Sequence, residues 1–265
     1  MTKTETEGFL SEEVESDKRQ IIEKYIDAFN FARDLNQFCM TFLKKLKIDW
    51  KDNYRLIVNT LILRVIEISQ AIYLMTERGM LIPAKVLTRA NLEILFILTA
   101  LQKHPNLLQC YLDQHEEGHK RSLKAALQFK NESLKASVKQ INIEKLYIEK
   151  KKELKNKELN ILKPKQWAIE AELEDFYNLY YIIYSNATHS SLSSLDDHVD
   201  NLPQQVNLAF GPLDKELYEI MQCDFYVLIN ALIATSLVNN FNISKEVDVF
   251  KNQIRALDRK YIETQ

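Results

Sequence analysis

The sequence predicts an all-α fold, a single domain built as a long-helix bundle of about seven to nine helices. Three observations carry this. Only 4 Gly and 5 Pro occur in 265 residues, too few turn formers for a chain of many short strands. Between these breakers apolar residues return every three or four positions, the period of a helix with one buried face. The long gaps are rich in Leu, Ile, Lys and Glu, which favour helix. The chain is 46% hydrophobic and 27% charged, ample for one sizeable core.

Residues 1–10 are polar and read as a flexible tail. They lack the apolar stretch of a secretory signal. The helical domain is expected over 11–265. Its first helix is expected over 11–47, where Ile22, Tyr25, Ile26, Phe29, Ala32, Met40 and Leu43 share one face. Asp52 or Asn53 is placed to cap a second helix over 54–78, with Gly79 as its C′ residue. That helix is apolar nearly all round and belongs at the centre of the bundle. Arg64 and Glu67 interrupt it. A short link leads to a third helix from Pro83, which suits a first turn, to about 104. A fourth is expected over 105–130, with a bend near Gly118.

From 131 to 164 the composition turns to Lys and Glu. This segment is expected to protrude as one or two exposed helices, and its excess of Lys suits a contact with RNA phosphates or with a partner protein. A short helix over 166–172 carries Trp167. An apolar helix over 173–189 follows, then a loop or lid over 190–212. A helix over 213–241, capped near Asp214, and a terminal helix started by Ser244 complete the chain.

A net charge of −2 lacks the basic footprint of a dedicated duplex-DNA binder. Cys39, Cys110 and Cys223 lie far apart in apolar helical patterns, without zinc spacing, and read as buried thiols in a reducing cytoplasm. The run 225–244 reads as a buried helix, so no membrane span is expected. Phosphate-binding, dinucleotide-binding and hydrolase-elbow motifs are absent. His115, Glu116 and His119 spell a zinc-protease motif by letter, but the very polar surroundings, Gly118 within the motif and the lack of a third ligand argue for an exposed helix face. No metal and no cofactor is expected.

The chemistry, if any, is expected between two helices. Arg89 and Glu93 are the only charges between Lys85 and Lys103. They stand one turn apart in an apolar helix, so both need partners or a cavity. The helix over 173–189 carries Tyr177, Tyr181, Ser185 and His189 at steps of four. At 100° per residue, Tyr181, Ser185 and His189 share an arc of about 80°. In a catalytic reading His189 is the general acid/base, charged and oriented by Glu93. Arg89 stabilises a phosphate or oxyanion, and Tyr181 and Ser185 position the substrate. In the rival reading the same side chains are a structural polar network that fixes helix register.

The order of Arg64 and Glu67, then LTRANLE with Arg89 and Glu93, then a Trp-led segment and Tyr181, Tyr184, Ser185 and His189 resembles the bacterial domain-of-unknown-function family 5677, over roughly 54–198. The helical make-up of that family is similar to the HEPN group. The resemblance implies a defence or toxin protein, and a metal-independent ribonuclease if it is an enzyme. The HEPN signature places Arg and His on one helix. Here Ser185, Asn186, Ala187 and Thr188 precede His189, so Arg89 would have to arrive from another helix. The alternative is a non-catalytic helical module that dimerises or senses a ligand. Expected partners are RNA, a second copy, or a protein encoded in the same operon.

Overall fold

A computed structural model describes residues 6–47, 49–189, 192–195, 198–202, 205–208 and 210–263. They are predominantly helical. Of the expected tail, residues 1–5 lie outside the described residues, while Gly8–Leu10 form a 3-10 turn. Phe9 of that turn packs edge-on against Phe210, with centroids 5.5 Å apart. The first expected helix is two: α1 (Val14–Lys24) and α2 (Ile26–Leu43). They part at Tyr25, whose φ of −113° and ψ of 31° leave the helical region.

The centre of the bundle is α3 (Asn53–Glu77), α4 (Leu81–Lys103) and α11 (Leu217–Val238), which pack most extensively on one another. Asp52 caps α3, accepting from the Arg55 amide at 3.0 Å. Gly79 ends it at φ +67°, the left-handed conformation that favours glycine. The link before Pro83 is shorter than expected, residues 78–80. The helix already starts at Leu81, and Pro83 sits in its first turn, where a missing N–H costs nothing. Leu92, Leu95, Phe96 and Leu98 of α4 and Phe225, Val227 and Leu228 of α11 are sealed from solvent. By length and composition alone α3 and α11 could each cross a membrane, yet 50% and 72% of their most apolar windows are buried inside the bundle.

A 3-10 turn at Pro105–Leu107 leads into α5 (Leu108–Ala126), which holds Gly118 within it. The charged segment forms α6 (Glu132–Ile141) and α7 (Ile143–Leu154), and α7 packs back on α5. Lys150 pairs with Glu116 across that contact. His115 and His119 of α5 are exposed, and Glu117 pairs with Lys120 and Arg121. In α8 (Pro164–Glu170) the buried Trp167 donates its indole N–H to Gln114 at 3.2 Å.

The helix expected over 173–189, α9, is α-helical at Glu174–Phe176, widens to a π turn at Tyr177–Tyr181, and is α-helical again at Ile182–Thr188. Within the expected loop, residues 190, 191, 196, 197, 203, 204 and 209 lie outside the described residues. The rest correct the expectation. Leu192–Leu195 is a short helix, α10, and Val199–Leu202 (β1) pairs antiparallel with Gln205–Leu208 (β2), Val199 opposite Leu208. The segment then returns to the α3–α4 turn, where the Leu213 amide donates to the Gly79 carbonyl at 3.1 Å.

The last long helix starts at Leu217, four residues later than expected, after Glu216 at φ +63°. The terminal α12 (Ser244–Tyr261) is started by Asn242, whose side chain accepts from both the amide and the hydroxyl of Ser244. The three cysteines are buried free thiols.

Candidate functional site

Four of the five expected residues meet where α9 lies against α4. Arg89 donates from Nε to Ser185 Oγ at 3.0 Å and from Nη2 to Tyr181 OH at 2.7 Å. The Tyr181 hydroxyl donates in turn to Glu93 Oε1 at 2.7 Å. That same oxygen stands 3.2 Å from Arg89 Nη2. Ser185 completes the set by donating to the Tyr181 carbonyl at 2.7 Å. The guanidinium carbon lies 4.8 Å from the Tyr181 ring centroid, so the ring face and the phenol oxygen both receive Arg89.

The local sequence explains the arrangement. Arg placed four residues before Glu is the weaker order for a pair within one helix. The phenol from α9 fills the gap by accepting from one partner and donating to the other. The pair is not sealed: Arg89 keeps 18% and Glu93 35% side-chain exposure, so its desolvation cost is partial. Tyr181 is buried, and burial together with its hydrogen bond to Glu93 pushes its hydroxyl up to about 12. It therefore remains a neutral donor and acceptor at physiological pH.

The π turn brings the tyrosines into line. In a regular α-helix, steps of four drift by about 40° each. The wider π turn over Tyr177–Tyr181 takes up part of that drift. Tyr177 consequently stacks on Tyr181, with centroids 4.9 Å apart and planes at 19°. Phe96 of α4 lies near both rings, 6.0 Å from Tyr181 and 6.3 Å from Tyr177.

His189 does not join the network, and the expectation that Glu93 orients it is corrected. Glu93 is engaged by Tyr181 and Arg89, while His189 is exposed at the C-cap of α9. Among the described residues its ring has no hydrogen-bond or ion-pair partner. The reason is angular. At 100° per residue His189 falls about 20° from Ile182 and about 40° from Ser185, so it leans toward the outer face of the helix. Arg64 and Glu67 are exposed on α3 and take no part.

A second polar centre escaped the sequence reading. Asp224, on α11, is wholly buried. Its Oδ1 accepts from Asn91 at 2.8 Å and from Ser69 at 3.1 Å. Asp224 Oδ2, Asn91 Oδ1 and the Tyr73 hydroxyl are buried without an ordinary hydrogen-bond partner. The Tyr73 hydroxyl still favours the carboxylate charge from outside that geometry, yet burial dominates and raises the Asp224 carboxyl to about 6. The signal in the sequence was one of only two acids in α11, Glu219 being the other.

No curated protein and no solved structure matches the chain. A family model described as a family of unknown function, DUF5677, matches residues 55–206. The match takes in α4 and α9 with Arg89, Glu93, Tyr181 and Ser185, and it covers more than half of the sequence. This chain therefore belongs to the DUF5677 family.

Proposed function

We propose that the chain is a non-catalytic helical interaction module, in which the Arg89–Glu93–Tyr181–Ser185 network locks α9 against α4 and so presents the outer face of α9. The observation that carries this is closure. The hydroxyl of Tyr181 and that of Ser185 each accept and donate within the set, and Glu93 is bonded inside it. A network whose two hydroxyls are satisfied by its own members fixes geometry. The test is melting and RNA cleavage in EDTA for the wild type, Arg89→Lys and His189→Ala. Lysine has no planar fork with which to bridge Ser185 and Tyr181 together, so Arg89→Lys lowers the melting temperature. His189→Ala leaves it unchanged, and none of the three cleaves RNA.

A second reading draws on one observation, the exposed His189 one turn beyond an Arg-bound Ser185. In it the chain is a HEPN-like ribonuclease of defence or toxin type. His189 is the acid/base, Arg89 acts on the scissile phosphate, and the Lys-rich α6–α7 segment holds the strand. Cleavage by the wild type that disappears in His189→Ala at unchanged melting would establish this reading and overturn the first.

A further inference from the structure

Three of the chain's four glycines gather at one cleft. Gly79 and Gly211 line it, and Gly8 precedes Phe9, which also lines it. All three hold positive φ, +58° at Gly8, +67° at Gly79 and +146° at Gly211. Two of them let segment 210–213 approach other turns more closely than a side chain would allow. A β-carbon on Gly8 would meet the Phe210 ring at 2.7 Å, and one on Gly79 the Leu213 nitrogen at 2.6 Å. The segment is thus pinned twice, by the edge contact of Phe9 with Phe210 and by the Leu213 amide on the Gly79 carbonyl. The four residues of these pins, with Met80 and Ile82, wall a cavity of about 350 Å³. Among the described residues His198 is the one polar side chain of its lining.

We propose that this cleft binds a small, uncharged aromatic molecule of about two fused rings, with no more than one hydrogen-bonding group. The lining selects the class. Two phenyl rings and the Met80 thioether favour an aromatic guest. A charged one would lose its hydration against a wall of apolar side chains. The volume sets the size. A cavity of about 150 Å³ takes one benzene ring, and pockets for small ligands begin at about 300 Å³. Other occupants fit less well. A partner helix is about 10 Å across, too wide for a cleft of this volume. An extended peptide would bring backbone N–H and C=O groups that one histidine cannot pair. The inference goes beyond the module reading and holds whether the network at Arg89 is structural or catalytic. It gives the chain a signal to read, since the cleft joins the end of α3, the first turn of α4 and the approach to α11, the three central helices.

Titration of the full chain with 2-naphthol, followed by the fluorescence of the probe and by melting, tests the proposal. One saturable site is expected, with a dissociation constant on the order of 100 μM. At about 1 mM the probe then raises the melting temperature by about 2–5 °C. Ile82→Trp fills the cleft from a half-buried position, and Phe210→Ala removes a ring that is 70% exposed. Both leave the circular dichroism of the free protein unchanged. Affinity falls by about tenfold or more in the first and by about fivefold in the second. Leu237→Trp, at an exposed position of α11 beside a different apolar hollow, keeps the wild-type affinity. 2-Naphthoate, of similar size but charged, binds about tenfold more weakly or worse. Absence of saturable 2-naphthol binding by the wild type, or equal binding by Ile82→Trp and Phe210→Ala, overturns the cleft as a ligand site. Naphthoate bound as tightly as naphthol overturns the uncharged class. RNA cleavage lost in His189→Ala overturns the module reading alone, so the two failures are distinct.

Discussion

Replacing Asp224 by Asn is expected to stabilise the protein at neutral pH, although it touches the centre of the core. The wild-type carboxylate is wholly buried, and among the described residues no cation pairs with it. Two donors reach Oδ1, and Oδ2 has none. Burial therefore raises the carboxyl from its ordinary 3.8 to about 6. The sign follows from proton counting. Between about pH 4 and 6 the folded state holds a proton that the unfolded state has released, so stability falls as pH rises through this window. Above it the full cost of the buried charge is present, on the order of 3 kcal/mol. Asparagine keeps the shape and an acceptor for Ser69 and Asn91, and its amide N–H can donate toward the Tyr73 oxygen. It also loses charge-assisted hydrogen bonds, which lowers the net gain to about 1–3 kcal/mol at pH 8. Urea unfolding of both proteins at pH 4, 6 and 8 measures this, with the difference vanishing toward pH 4. A variant less stable than wild type by more than about 1 kcal/mol at pH 8 would mean that the core holds the charge by more than these donors, and the reasoning would fail.

Tyr181→Phe keeps the ring contacts with Tyr177 and Phe96 but removes the hydroxyl between Arg89 and Glu93. Partial water access moderates the loss to about 1–2 kcal/mol, seen as a melting temperature lower by about 2–6 °C; unchanged melting would show that the network contributes nothing. Gly79→Ala meets both a left-handed φ and the Leu213 backbone, whose nitrogen lies 2.6 Å from the added carbon. A loss of about 1–3 kcal/mol in urea unfolding is expected, whereas a stabilised variant would contradict the tight turn. Asp52→Ala removes the cap of α3 and is expected to cost about 1 kcal/mol by the same measurement.

The long helices were legible because their apolar periodicity is uninterrupted. Asp52 and Gly79 marked both ends of α3, and the match of its predicted and observed bounds rests on those two residues. The pairing of Arg89 and Glu93 with Tyr181 and Ser185 was legible for a similar reason: charges in an apolar helix must find polar partners, and α9 carries them at the right spacing. The break at Tyr25 was not, because helical spacing continues across it and the interruption lies in one residue's dihedrals. The β1–β2 pairing was hidden by Pro203 and the polar residues around it, which read as loop. The place of His189 was missed because an arc of about 80° was treated as one face, while the last residue of that arc already leans outward. Asp224 was passed over because its partners, Ser69 and Asn91, come from two other helices and are unremarkable alone.

The π turn of α9 makes the two faces of that helix depend on one residue of chain length. A π turn is a helix with a single extra residue accommodated in it. Deleting Asn178 would let the backbone relax to regular α-helix and rotate everything downstream by about 100° relative to everything upstream. Ser185 would then leave Arg89, and Ile182 and Ile183 would swing away from the outer face. A length change of one residue at this point would thus exchange which side chains face α4 and which face outward, with hardly any change in composition. Among relatives of this chain, the residue count between Trp167 and Ser185 would then report the orientation of α9 more directly than the identity of any single side chain.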